Sequence, residues 1–134
     1  MKAADTTRVR DFMIPRPVIL GADSELLDAA KVLVDRQISG APVVDDKGTL
    51  VGVLTERDLL EAVVVAGYHD EGGGRVADYM TREVEVARTE DTLFDVARRF
   101  IAGTERRFPV IEDNRIVGLV TRRDVLRVVL GSRG

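Results

Sequence analysis

Asp58 stands three residues after Thr55, and Asp124 three residues after Thr121. The surrounding stretches are near copies, GVLTERD at residues 52–58 and GLVTRRD at residues 118–124. A threonine followed three residues later by an acid can form a capping box, in which each side chain accepts the other residue's backbone N–H and fixes a helix start. Capping alone, at about 1 kcal/mol per helix, is a sufficient reason for both residues. The same place suits a second task, because a helix start directs unpaired N–H groups and partial positive charge outward, where an anion can bind. An aspartate there repels a closely approaching phosphate and favours a neutral pair of donors, such as the two hydroxyls of a ribose. These preferences together describe a nucleoside phosphate, with its diol on Asp58 or Asp124 and its phosphate nearer Thr55 or Thr121.

The base of such a ligand needs an apolar slot. Candidates are Ile14, Pro15, Ile38, Ala41 and Pro42 around the first motif, and Thr81, Val84, Phe108 and Pro109 around the second. Ordinary core packing is the alternative for every one of them.

The elements that position these residues are also duplicated. A shift of 67 lays Val9, Asp11 and Met13 on Val76, Asp78 and Met80, then Leu26, Asp28 and Ala30 on Leu93, Asp95 and Ala97, and Pro42 and Val43 on Pro109 and Val110. The shift then falls to 66, placing Gly52, Thr55, Arg57 and Asp58 on Gly118, Thr121, Arg123 and Asp124. The lost residue belongs in a polar hairpin connection, residues 45–49 in the first copy and 112–115 in the second.

Each copy reads as a short helical turn, then strand, helix, strand, strand and helix. In the first copy residues 18–20 form a strand, and Asp23 or Ser24 caps a helix to about Arg36. Its stripe is Leu26, Ala29, Ala30, Leu33 and Val34, repeated as Leu93, Val96, Ala97, Phe100 and Ile101. The helix after Thr55 is apolar almost all round through residues 59–66 and needs cover on more than one side. The expected organisation is a lead at residues 1–8, a repeat at 9–67, a glycine-rich linker at 68–75, a second repeat at 76–131 and a tail at 132–134. No attached effector domain is expected.

Composition narrows the function. At 134 residues two small repeats must share a folded unit, since about 60 residues alone bury a marginal fraction of their surface. A net charge of −3 and 4% aromatics disfavour nucleic acid, despite Arg98, Arg99, Arg106, Arg107, Arg122 and Arg123. With no cysteine and the single His69, neither a disulfide nor a multi-histidine metal site is available. The glycines at 72–74 lack the lysine of a phosphate loop, and no catalytic constellation stands out, so no enzyme activity, required cofactor or metal is expected. Nor is there an apolar run of membrane-spanning length, and a cytoplasmic location is the default.

Taken in order, the doubled Asp-Phe/Tyr-Met, strand, amphipathic helix, Pro-Val hairpin and closing Gly-x-x-Thr-x-x-Asp resemble the cystathionine-β-synthase (CBS) domain pair, or Bateman module, over residues 9–130. The resemblance implies a mixed α/β fold of tandem β-α-β-β-α repeats packed about a pseudo-two-fold axis. It implies clefts for AMP, ADP, ATP or S-adenosylmethionine, with Asp58 and Asp124 on ribose and Thr55 and Thr121 near phosphate. Residues just before the hairpin proline often contact phosphate in this family. Here they are Arg106 and Arg107 in the second repeat, against Ser39 and Gly40 in the first, and Arg122 and Arg123 continue the same asymmetry. The site at Asp124 is therefore expected to be the stronger phosphate binder. The implied role is a sensor signalling to a partner protein. The competing expectation is a structural dimerisation module with empty clefts, associating through the apolar helix ends at residues 62–65 and 128–130.

Overall fold

Short apolar runs alternate with amphipathic stretches, and the resulting elements are seen for residues 6–66 and 74–131, which the computed structural model describes. In chain order they are α1 (Val9–Phe12), β1 (Ile14–Pro15), β2 (Leu20–Gly21), α2 (Leu26–Arg36), β3 (Gly40–Val44), β4 (Leu50–Thr55), α3 (Glu56–Ala66), α4 (Val76–Tyr79), β5 (Ala87–Arg88), α5 (Leu93–Ala102), β6 (Arg107–Glu112), β7 (Arg115–Thr121) and α6 (Arg122–Gly131). The fold is mixed α/β, with strand-helix-strand-strand-helix order in each copy.

Sequence repeats and folded units do not share boundaries. One compact unit is residues 18–84; the other joins residues 1–17 to residues 85–134. Strand pairing is the cause. β1 is laddered to β7, with Ile14 opposite Leu119 and Pro15 opposite Gly118. In the other unit Thr81 takes the equivalent place on β4, exchanging both backbone hydrogen bonds with Val53 at 2.9 Å. Each copy's lead-in segment thus folds with the other copy's hairpin.

The unit of residues 18–84 has the sheet order β2-β3-β4, and the unit containing residues 85–134 the order β1-β7-β6-β5. In both, a parallel pair (β2 with β3, β5 with β6) adjoins an antiparallel hairpin. The first hairpin turns over residues 45–49, where Asp45 Oδ1 accepts the N–H groups of Lys47 and Thr49 at 2.9 Å. The second is tighter than the four-residue connection expected at 112–115, because Glu112 and Arg115 still pair. Only Asp113 and Asn114 turn, with φ of 52° and 67°. Left-handed conformations at both central positions give the turn whose twist matches the flanking strands.

Leu26, Ala29 and Leu33 of α2 and Leu93, Val96 and Phe100 of α5 are buried, each set in the core of its own unit. Val34 and Ile101, expected in those stripes, are instead 73% and 84% exposed. At 100° per residue each sits about 80° round the helix from Leu26 or Leu93, on the side away from Ala29 or Val96. The cap of α2 also differs from expectation. Its N-cap is Glu25, which makes no side-chain cap, and the Leu26 N–H donates to the Gly74 carbonyl at 2.9 Å. A backbone acceptor replaces Asp23 or Ser24. α5 is capped by Thr92, whose hydroxyl accepts the Asp95 N–H at 3.1 Å while Asp95 accepts the Thr92 N–H.

Candidate functional site

Gly52 and Gly118 open the two motifs because another strand crosses them closely. A Cβ at Gly52 would lie 2.8 Å from both Met80 Sδ and the Thr81 carbonyl oxygen. At Gly118 it would lie 2.5 Å from Met13 Sδ and 3.0 Å from the Ile14 carbonyl oxygen. Glycine inside a strand marks such an approach of another backbone. Here it lets the lead-in segment lie beside the strand that ends at the site threonine.

Beyond each glycine the strand runs into a helix through the capping box. Thr55 Oγ1 accepts the Asp58 N–H at 3.1 Å, and Asp58 Oδ2 accepts the Thr55 N–H at 2.9 Å. The second copy repeats this at 3.2 and 2.9 Å. Asp58 and Asp124 are largely buried, at 8% and 6% exposure. Burial of that degree requires hydrogen-bond partners, and each has them.

The partners differ between the copies. Asp58 Oδ1 accepts the Thr81 hydroxyl at 3.0 Å. Asp124 instead takes a second bond on Oδ2, from the Thr121 hydroxyl at 2.9 Å, and its Oδ1 faces the exposed Arg127 at 3.5 Å. Thr81, expected in the second motif's base slot, thus joins the first motif's aspartate. Matching it to Ile14 by the shift of 67 exposes the polar-for-apolar difference. The partnership with Asp58 follows only from the exchanged strand.

Most N-terminal donors of α3 and α6 are already engaged. Beside the boxes, the Glu56 N–H donates to Ser39 O at 2.9 Å and the Arg122 N–H to Arg106 O at 3.4 Å. Among the described residues this leaves the N–H groups of Arg57 and Arg123 for an anion. The arginines expected at a phosphate also divide. Arg122 donates from Nε and a terminal nitrogen to the carbonyls of Thr104 and Glu105 at 3.0–3.4 Å, so its guanidinium braces the loop before β6. Arg107 lies opposite Thr121 in the hairpin ladder. Arg106 and Arg123 are exposed, with side chains that make no hydrogen bond or ion pair among the described residues.

The base-slot candidates are regrouped by the strand exchange. Ile14 and Pro15 are exposed and share a unit with Asp124, whereas Thr81 and Val84 share one with Asp58. Ile38, half-buried, packs on the core of the Asp58 unit. Ala41, Pro42, Phe108 and Pro109 are fully buried. Phe108 stacks on Phe100 with ring centroids 4.3 Å apart and lies under the Arg99 guanidinium at 4.2 Å. These four side chains belong to the core, and Ile14, Pro15, Ile38, Thr81 and Val84 are the candidates with surface to offer. His69 lies outside the described residues. Among those described there is no group of three or more potential metal ligands.

The profile of the CBS domain matches residues 9–65 and 76–131. The Arabidopsis thaliana protein CBSX2, solved in complex with AMP, is similar at a TM-score of 0.84 and 34% identity, over 96% of this chain and 99% of that one. The CBS domain pair of protein MJ0100, solved with 5'-methylthioadenosine and S-adenosyl-L-methionine, gives a TM-score of 0.81 at 29% identity, covering 95% of this chain and 98% of that one. The Methanocaldococcus jannaschii protein MJ1225 is 33% identical over 130 residues, which are 97% of this chain and 45% of its own length. The chain spans 63% of full-length CBSX2, so both relatives extend well beyond it. The two matched stretches cover most of the sequence and each contains one Gly-x-x-Thr-x-x-Asp motif: the chain belongs to the CBS domain family, with two copies of the domain.

Proposed function

We propose that this chain is a regulatory module that binds an adenosine-containing ligand and signals its presence to a partner protein, without catalysing a reaction. The observation that carries this reading is the pair of buried carboxylates, Asp58 and Asp124, each fixed at a strand-helix junction by its own threonine. The solved relatives with AMP and with S-adenosyl-L-methionine support adenosine as the shared chemical element. In this reading Asp58 and Asp124 accept ribose hydroxyls. Arg106, Arg107 and Arg123 serve phosphate on the Asp124 side, and Thr55 with the Arg57 N–H serves it on the Asp58 side. Ile14, Pro15, Ile38, Thr81 and Val84 line the base.

A thermal-shift panel of AMP, ADP, ATP and S-adenosylmethionine tests the reading. A ligand at 100 times its Kd stabilises the fold by about 2.7 kcal/mol, which for a domain of this size raises Tm by about 5–15 °C. No shift with any of the four would favour the second reading, a structural assembly module. That reading draws on Leu60, Val64 and Val65 of α3 and Leu126 and Leu130 of α6, which are 60–82% exposed.

A further inference from the structure

We propose that Thr81 makes Asp58 the reader of an intact ribose diol, while Asp124, whose Oδ2 already holds both Thr121 donors, tolerates loss of one hydroxyl. The proposal rests on the nucleotide reading above and assigns its sugar specificity to one half of the chain. A carboxylate has two acceptor sites on each oxygen. At Asp58 the Thr55 N–H fills one site on Oδ2 and the Thr81 hydroxyl one site on Oδ1, which leaves one open on each oxygen. A cis-diol presents two hydroxyls on adjacent carbons and matches that pair. With both oxygens held, the carboxylate plane is set before a ligand arrives, and less orientational freedom is lost on binding.

At Asp124 both Thr121 donors, the N–H and the hydroxyl, sit on Oδ2 at 2.9 Å. Oδ1 alone stays open to a sugar, beside the long contact to Arg127. The residue in Thr81's place is Ile14, opposite Leu119 as Thr81 is opposite Val53, and isoleucine has no proton to donate. The threonines differ in the opposite sense. Thr121's hydroxyl proton is engaged on Asp124, whereas Thr55's hydroxyl accepts the Asp58 N–H and donates to nothing among the described residues. The Asp58 half therefore holds the better-formed sugar acceptor, while the arginines cluster in the Asp124 half.

Isothermal titration calorimetry of AMP against 2'-deoxy-AMP tests this, with Asp124→Asn isolating Asp58 and Asp58→Asn isolating Asp124. Loss of a hydrogen bond to a charged group weakens binding by about tenfold or more. That preference for AMP is expected in Asp124→Asn, and a clearly smaller one in Asp58→Asn. Adding Thr81→Val to Asp124→Asn should erase most of the preference, and Thr81→Ser, which keeps the hydroxyl, should retain it. Ile14→Thr added to Asp58→Asn should raise it. A preference untouched by Thr81→Val, or equal in the two single variants, would overturn the proposal while leaving nucleotide binding intact. AMP binding to none of these proteins, wild type included, would remove the nucleotide reading and the proposal together.

Discussion

At the scale of single residues, like neighbours carry different hydrogen-bond states. Arg122 and Arg123 are neighbours in sequence, yet Arg122 braces the backbone of Thr104 and Glu105 while the Arg123 side chain is open. Arg106→Ala is therefore expected to weaken ATP about tenfold while leaving adenosine nearly unchanged, since only the phosphates gain a charge-assisted bond from it. Calorimetry with the two ligands measures that split. Arg122→Ala should instead lower stability, by about 1 kcal/mol in urea denaturation, and shift both ligands equally. The Thr92 N–H and then the Thr92 hydroxyl hold the Asp95 carboxyl below its ordinary value. A depressed folded-state pKa contributes stability that is present above the unfolded carboxyl range and lost as pH falls through the folded value. A carboxyl NMR titration should give Asp95 a midpoint below that of a typical exposed aspartate. The threonine and aspartate of each site were legible in sequence because capping is local, spanning three residues. The bond from Thr81 to Asp58 was not, because it joins residues 23 apart through a strand borrowed from the other repeat.

At the scale of elements, the repeated glycine explains the exchange. Hydrophobic spacing disclosed α2, α5 and both hairpins, because their patterns are internal to each element. It left α1, β1 and α4 without partners, since segments of two to four residues carry no period. Gly52 and Gly118 held the missing information, as strand residues that must lack a side chain. Gly52→Ala should destabilise by about 1–3 kcal/mol, the usual cost of overpacking. It should cost more than Gly118→Ala, since the Thr81 backbone carbonyl lies 2.8 Å from the added Cβ against 3.0 Å for the Ile14 carbonyl at 118, where the closest atom is the flexible Met13 Sδ. Urea midpoints rank the two variants, and a larger effect at Gly118 would contradict this packing.

At the scale of the whole molecule, the helix that was expected to need cover on several sides is covered on one. Ala62 of α3 is buried, while Leu60, Val64 and Val65 are 66–82% exposed in the isolated chain. Patches of this kind mark interaction surfaces. Val64→Asp should shift sedimentation toward a slower species if α3 joins two copies, and an unchanged profile would remove α3 from any such interface. Assembly and ligand binding are separable, since the carboxylates of Asp58 and Asp124 lie at the N-terminal ends of α3 and α6. The proposed hold of these two carboxylates on an adenosine ligand is tested by calorimetric titration of AMP into the wild type and into the double variant Asp58→Asn/Asp124→Asn. Saturable binding in the wild type, weakened about tenfold or more in the double variant, is the predicted result. Equal affinity in the two proteins would contradict it.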